Sequence, residues 1–258
     1  MRGAGDLATG VALRLHRAGF RNLLLLEREY PLAVRRLVSF SEAITQGVVC
    51  VEGIQAQRIT AGHAGDPWRQ DDTIPVLVDP KGKSISELGP DVVIDAILAK
   101  RNTGTRMENA PLVIGLGPGF TAGKDVHRVI ETMRGHGLGR VIYNGSALAD
   151  TGVPGSIGGY TRERLLRAPQ AGTFTTTHDI GDRVEAGEQV ATVDGTPVVA
   201  AISGVLRGLL RTDTPVTNRT KLGDIDPRGK TDFCATASDK AMAIGGGVLE
   251  AILNNFNN

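Results

Sequence analysis

GAGDLATG, Gly3 to Gly10, opens the chain with Gly3, Gly5, Ala8 and Gly10 at the spacing of a nucleotide-binding turn. Glycine lets a backbone approach a pyrophosphate closely, and the helix that follows offers unpaired N–H groups and partial positive charge. Glu27 lies 22 residues after Gly5, at the end of an apolar run. A carboxylate near ~20 residues downstream accepts a ribose 2′-OH and disfavours a 2′-phosphate, so an NAD-like dinucleotide is expected over an NADP-like one. A tight helix–strand junction without a ligand has the same glycines, and Asp6 sets a negative charge where phosphate would lie. Such a turn needs a strand leading into it. Only Met1 and Arg2 precede this one, so the first strand is expected to be truncated, and it would be a central strand.

Working outward, Leu7 to Ala18 has helical spacing and stops at Gly19. Leu23–Leu26, Val48–Val51, Val76–Val78, Val92–Leu98, Leu112–Leu116 and Arg140–Tyr143 read as strands, and Gly123–Arg134 as a helix. Strands alternating with helices predict a mostly parallel sheet. The fold class expected is α/β: a Rossmann-like domain over 1–150, a linker over 151–167, a small all-β module over 168–228, and a C-terminal segment over 229–258. Ser238 is the N-cap candidate of a final helix expected to pack on the first domain.

The small module shows an internal repeat. AGTFTTTHDIGDRVEAGEQVATVD from Ala171 aligns without a gap to SGVLRGLLRTDTPVTNRTKLGDID from Ser203, at an offset of 32 residues. Such a duplicated half-barrel resembles the lipoyl/biotinyl-type barrel-sandwich domain, whose carriers present a lysine at the hairpin joining the halves. Here that tip is Asp194–Thr196, and no lysine occurs between Lys124 and Lys221. Neither biotin nor lipoate is expected, which leaves a structural, oligomerising or docking module.

Composition narrows the rest. Lysine and arginine number 29 against 28 acids, and aromatics are 4%, so neither nucleic acid nor an anionic membrane is an expected partner. No apolar stretch approaches ~20 residues and no signal peptide is evident, so a cytoplasmic protein is expected. Cys50 and Cys234 form neither a disulfide framework nor a metal cluster, and no metal site is expected.

Further candidates follow the strands. GLGPGFTAG, Gly115 to Gly123, is a second glycine turn, and Gly117 and Gly119 are placed on the far lip of a ligand cleft. Lys100, Arg101, Asn102 and Thr103 emerge after the strongest strand, two cations and two hydrogen-bonding side chains suited to phosphate or carboxylate. A ligand-free turn and a solvated loop are the competing readings. His127 and Glu131, four apart on the expected helix, are an acid–base pair or one salt-bridged face with Arg134. Cys234 is a candidate thiolate or an inert thiol.

Several long strings go beyond such motifs: GAGDLATGVALRL from Gly3, PLAVRRLVSFSEA from Pro31, IDAILAKRNTGT from Ile94, GLGPGFTAGKDVHRVIETMRGH from Gly115, GDIDPRG from Gly223 and SDKAMAIGGGVLEAIL from Ser238. Their combination resembles the YqeB-type family of selenium-dependent molybdenum hydroxylase system proteins, from Gly3 to about Leu253. The resemblance implies an accessory role in maturing those hydroxylases and a molybdopterin dinucleotide as ligand, with the hydroxylase or other maturation proteins as partners; it supplies no catalytic residues. A homo-oligomer is compatible. An NAD-dependent oxidoreductase and a non-enzymatic scaffold docking the hydroxylase are the alternatives.

Overall fold

The computed structural model describes residues 1–60 and 72–257. Its elements, in chain order, are α1 (Asp6–Arg17), β1 (Leu25–Glu27), α2 (Ala43–Gln46), β2 (Val48–Val51), β3 (Ile54–Ile59), β4 (Ile74–Val78), α3 (Lys83–Leu88), β5 (Val92–Asp95), β6 (Leu112–Leu116), β7 (Thr121–Ala122), β8 (Arg128–Ile130), β9 (Val141–Ile142) and β10 (Gly145–Ser146). There follow β11 (Leu165–Arg167), β12 (Gly172–Thr175), β13 (Arg183–Val184), β14 (Gln189–Val193), β15 (Thr196–Val199), β16 (Gly204–Leu209), β17 (Thr214–Val216), β18 (Lys221–Asp226), α4 (Asp232–Ala235) and α5 (Asp239–Phe256). The chain divides into two compact units. The first holds Met1–Pro31, Ser39–Asp150 and Ala237–Asn258; the second holds Leu32–Val38 and Thr151–Thr236.

In the first unit, a sheet of order β2-β3-β4-β1 and one of order β5-β6-β8-β9 meet at a single residue, Arg2. Arg2 makes parallel bridges to Leu26 on one side and Asp95 on the other. Its N–H donates to the Ile94 carbonyl (2.8 Å), the Gly3 N–H to Leu26 (2.7 Å) and the Ala96 N–H to Arg2 (2.8 Å). Met1 and Arg2, with the first glycine of the turn, therefore occupy the centre of a mostly parallel sheet, whose outer pairs β2–β3 and β8–β9 are antiparallel.

One sheet face carries α1 and α5. Ser238 accepts the Ala241 N–H (3.1 Å) as the cap of α5, and Ile244, Val248, Ala251 and Ile252 are buried. The two helices run parallel and close: a Cβ at Gly10 would lie 2.5 Å from the Ala241 Cβ, and one at Gly245 would lie 2.9 Å from the Arg14 Cβ. Val93, Val113, Phe120, Val126 and Val129 form a separate apolar cluster, with Ile85 of α3 against it.

The stretch Gly123–Arg134 is not the expected helix. The Asp125 carboxylate accepts the Thr121 N–H (2.8 Å), and the His127 N–H donates to the Val113 carbonyl (2.8 Å). These bonds turn the chain into β8, which pairs parallel with β6. β-Branched Val126, Val129 and Ile130 suit a buried strand as well as a helix, and sheet pairing decides.

The second unit consists of two antiparallel four-stranded sheets, β11-β18-β16-β13 and β15-β14-β12-β17. The 32-residue offset maps β11 onto β15, β12 onto β16, β13 onto β17 and β14 onto β18. Applied to the first sheet order, it returns the second. The repeat is thus a pseudo-twofold in which each sheet takes strands from both halves. Phe174 meets Leu206 and Val193 meets Ile225 across the repeat, and all four are buried in one core. Two boundaries differ from expectation. Residues 165–167 form β11 rather than linker, and Leu32–Val38 joins this unit because the Leu209 N–H donates to the Val34 carbonyl (2.8 Å).

Candidate functional site

Where strand order reverses in an open α/β sheet, the carboxyl ends of the strands leave a crevice for ligands. In the first unit this point lies between Arg2 and β5, and the Gly3–Gly10 turn leaves the sheet there. Its small residues have separate roles. Gly3 has a φ of +96°, and a Cβ on it would stand 2.9 Å from the Ala96 carbonyl oxygen. Gly5 is extended, caps α1, and has open space where its Cβ would be. Ala8 is buried at 1% exposure, and Gly10 admits α5. The turn is held from below. Glu27 accepts the Ala4 N–H on Oε2 (2.9 Å) and the Arg28 N–H on Oε1 (2.8 Å). The Ser41 N–H donates to the Ala4 carbonyl (2.8 Å), and the buried Ser41 hydroxyl has no partner among the described residues. Glu27 is therefore at the turn, as its spacing predicts, with both oxygens engaged by backbone.

The 96–105 loop, which follows β5 at the same sheet edge, is tied down by internal bonds and by Arg2. Arg2 Nη1 donates to Asp95 Oδ2 (3.1 Å) and to the Thr105 hydroxyl, which itself donates to Asp95 Oδ2 (2.5 Å). Arg2, Asp95 and Thr105 are 5%, 1% and 1% exposed. A buried ion pair completed in this way is costly to break. Arg2 Nη2 takes the Thr103 carbonyl (3.3 Å). Asn102 accepts the Gly104 and Thr105 N–H groups (2.9 and 2.8 Å) and donates to the Thr105 carbonyl (2.7 Å). The Asn102 side chain and the Thr103 carbonyl thus frame the loop. Lys100 is exposed and paired with Asp150 (2.7 Å). Arg101 is exposed, with no ion pair within 4.0 Å among the described residues.

The second glycine turn lies against this loop, but the space beside Gly115, Gly117 and Gly119 is filled. A Cβ at Gly119 would sit 2.6 Å from the Arg101 nitrogen, one at Gly115 would sit 2.5 Å from the Phe120 ring, and one at Gly117 would strike the Thr132 hydroxyl. Gly117 and Gly119 are required by packing.

His127 and Glu131 do not form an acid–base pair on a helix. His127 Nδ1 accepts the Val113 N–H (2.9 Å), and burial, helped by Arg128, lowers its pKa below the ordinary histidine value. Glu131 gives both oxygens to backbone, accepting Met133 N–H (2.6 Å) and Leu148 N–H (2.8 Å). Cys234, in the second unit, is 3% exposed, and burial pushes its thiol up, against the pull of Arg35 and Arg207. A shielded, protonated thiol is a poor nucleophile.

Sequence reasoning passed over Lys240, at the start of α5. It is half-buried, and its pKa is lowered by burial and then by Arg134, with Asp6, Glu131 and Asp150 opposing. Its signal was the short string Ser-Asp-Lys at a helix start, which gives no hint of the residues it would meet.

No protein-family model matches the chain. It is 49% identical over 253 residues to the Escherichia coli (strain K12) protein named "Uncharacterized protein YqeB". That similarity reaches 98% of this chain. The chain spans about half the length of that curated relative, 47%. Three solved structures are similar to parts of it. An aspartoacylase family protein from Mesorhizobium loti is 18% identical, covering 24% of this chain and 22% of its own, at a TM-score of 0.23. The ectoine utilization protein EutE (DoeB) from Ruegeria pomeroyi is 14% identical, with coverages of 33% and 27% and a TM-score of 0.23. Succinylglutamate desuccinylase/aspartoacylase from Rhodobacter sphaeroides is 20% identical, with coverages of 33% and 29% and a TM-score of 0.22. No helix among the described residues is long and apolar enough to cross a membrane.

Proposed function

We propose that this chain is a cytoplasmic accessory protein in the maturation of selenium-dependent molybdenum hydroxylases, holding a nucleotide-bearing molybdenum cofactor at the Gly3–Gly10 turn of a Rossmann-like unit. The observation that carries the reading is the division of roles at the sheet's switch point. Gly3 makes the tight turn, Gly5 leaves open backbone ahead of the α1 N-terminus, and Ala8 is packed inside, as a pyrophosphate-binding turn requires. Glu27 stands at the turn, each oxygen accepting one backbone N–H and keeping a second lone pair for a ribose hydroxyl. The family resemblance carried by the long strings supplies the identity of the cofactor and of the partner enzyme. The second unit, with its duplicated lipoyl-like plan and no lysine at the Asp194–Thr196 tip, serves in this reading as a docking or oligomerising module for the hydroxylase or other maturation proteins.

Mass spectrometry of small molecules retained by the protein purified from its host tests the proposal. A molybdopterin dinucleotide is the expected result. Retained NAD(H) with turnover of a substrate would replace the proposal with an NAD-dependent oxidoreductase, which the placement of Glu27 favours as the second reading. An empty protein that still captures a hydroxylase would leave only a scaffold.

A further inference from the structure

We infer that Lys240, brought to the glycine turn by α5, is the cation that binds the phosphate groups of the ligand. The inference rests on the turn being the ligand site. It begins from helix register. Gly10 abuts Ala241 and Arg14 abuts Gly245, so α1 and α5 run side by side in the same direction, four residues matching four. Their N-termini therefore lie at the same edge, and Lys240, one residue before Ala241, stands beside the first turns of α1.

The charged groups around Lys240 then sort themselves by partner. Arg134 is held bidentately by Asp239 (2.7 and 2.8 Å). Asp150 is paired with Lys100, and the Glu131 carboxylate is taken by two backbone N–H groups. Asp6 accepts only its neighbour's N–H, from Leu7 (2.9 Å), among the described residues. Lys240 itself has no ion-pair partner within 4.0 Å among the described residues. A half-buried ammonium whose carboxylate neighbours lie beyond ion-pair distance among the described residues keeps N–H donors for an arriving anion. The same placement resolves the objection raised by Asp6. One carboxylate at a phosphate site is repulsive, and the Lys240 ammonium, within electrostatic reach of Asp6, offsets part of that repulsion. The open Gly5 backbone, the paired helix N-termini and this ammonium together describe a site for a diphosphate. Its lysine comes from the far end of the chain instead of following the glycine turn.

Calorimetric titration of the whole protein with inorganic pyrophosphate, ADP and adenosine tests this, using the natural chain, Lys240→Met, Lys240→Arg, Asp6→Asn and Gly5→Val. Lys240→Met is expected to weaken pyrophosphate and ADP roughly ten- to hundredfold while leaving adenosine unchanged. Lys240→Arg should stay within about threefold of the natural chain, since the charge remains. Asp6→Asn should tighten pyrophosphate several-fold, an effect opposite in sign to damage and readable even if Lys240→Met fails to fold. Unchanged pyrophosphate affinity in Lys240→Met, with Gly5→Val abolishing binding, would overturn the role of Lys240 and leave the turn standing. Weaker pyrophosphate binding in Asp6→Asn would also overturn it. No binding of any probe by the natural chain, or equal binding by Gly5→Val, would overturn the turn itself and this inference with it.

Discussion

The two glycine turns of the first unit look alike in sequence and differ in what surrounds them. In GLGPGFTAG, the space beside Gly115, Gly117 and Gly119 is occupied by Phe120, Thr132 and the Arg101 backbone. In GAGDLATG, Gly3 and Gly10 are likewise pressed against Ala96 and Ala241, but Gly5 faces open space. Of the seven glycines in the two strings, five are pressed on by neighbouring atoms, Gly123 meets only Asn144 Oδ1 at 4.0 Å, and Gly5 meets nothing within 4 Å. What sets the first turn apart is Gly5, which stands at the N-terminus of α1 at the sheet's switch point with no atom within 4 Å of its missing Cβ.

The largest break in this comparison is expected at the filled turn. Gly119→Ala combines a φ of +108° with backbone 2.6 Å away, so it should cost about 3 kcal/mol or more in denaturant unfolding. Gly10→Ala comes next. Overpacking against α5 outweighs the better helix propensity of alanine and should cost about 2 kcal/mol. Ala241→Gly in the same chain removes the Cβ it strikes and should restore part of that loss in a double-mutant cycle. A smaller effect belongs to His127, on the strand that follows the filled turn. Its folded pKa is lowered, so its contribution is present above the unfolded value of ~6.5 and is lost as pH falls through the lower folded value. The natural chain should lose stability relative to His127→Asn as pH falls below ~6.5, because the unfolded imidazole takes a proton that the folded one, with Nδ1 accepting the Val113 N–H, resists; denaturant unfolding across pH 7.5 to 5 checks the sign.

Much of this architecture is legible in the sequence because it is local or periodic. The apolar face and Gly19 stop predict α1, Ser238 predicts the start of α5, and the 32-residue offset predicts strands that the structure pairs one for one. Glu27 is found at the turn because its distance along β1 is fixed by chain geometry. The errors come from contacts made across the chain. Gly123–Arg134 has a pattern open to either element, and β6 draws it into the sheet. Local sequence also does not show that the loop of Asn102 and Thr103 is tied to Asp95 through Arg2, about a hundred residues earlier. Lys240 is invisible to motif reading, since 234 residues separate it from Asp6 and only the close packing of α1 on α5 unites them.

The central claim is that Gly5 is kept small for a ligand and not for the fold. The most direct measurement compares Gly5→Val with the natural chain, both purified from the same host, for unfolding free energy and for small molecules retained. With no atom within 4 Å of the added Cβ and an extended backbone that valine accepts, the stability change should be about 1 kcal/mol, that of a poorer N-cap, while the retained nucleotide-bearing molecule is lost. A Gly5→Val protein that keeps its full complement of ligand would contradict the account.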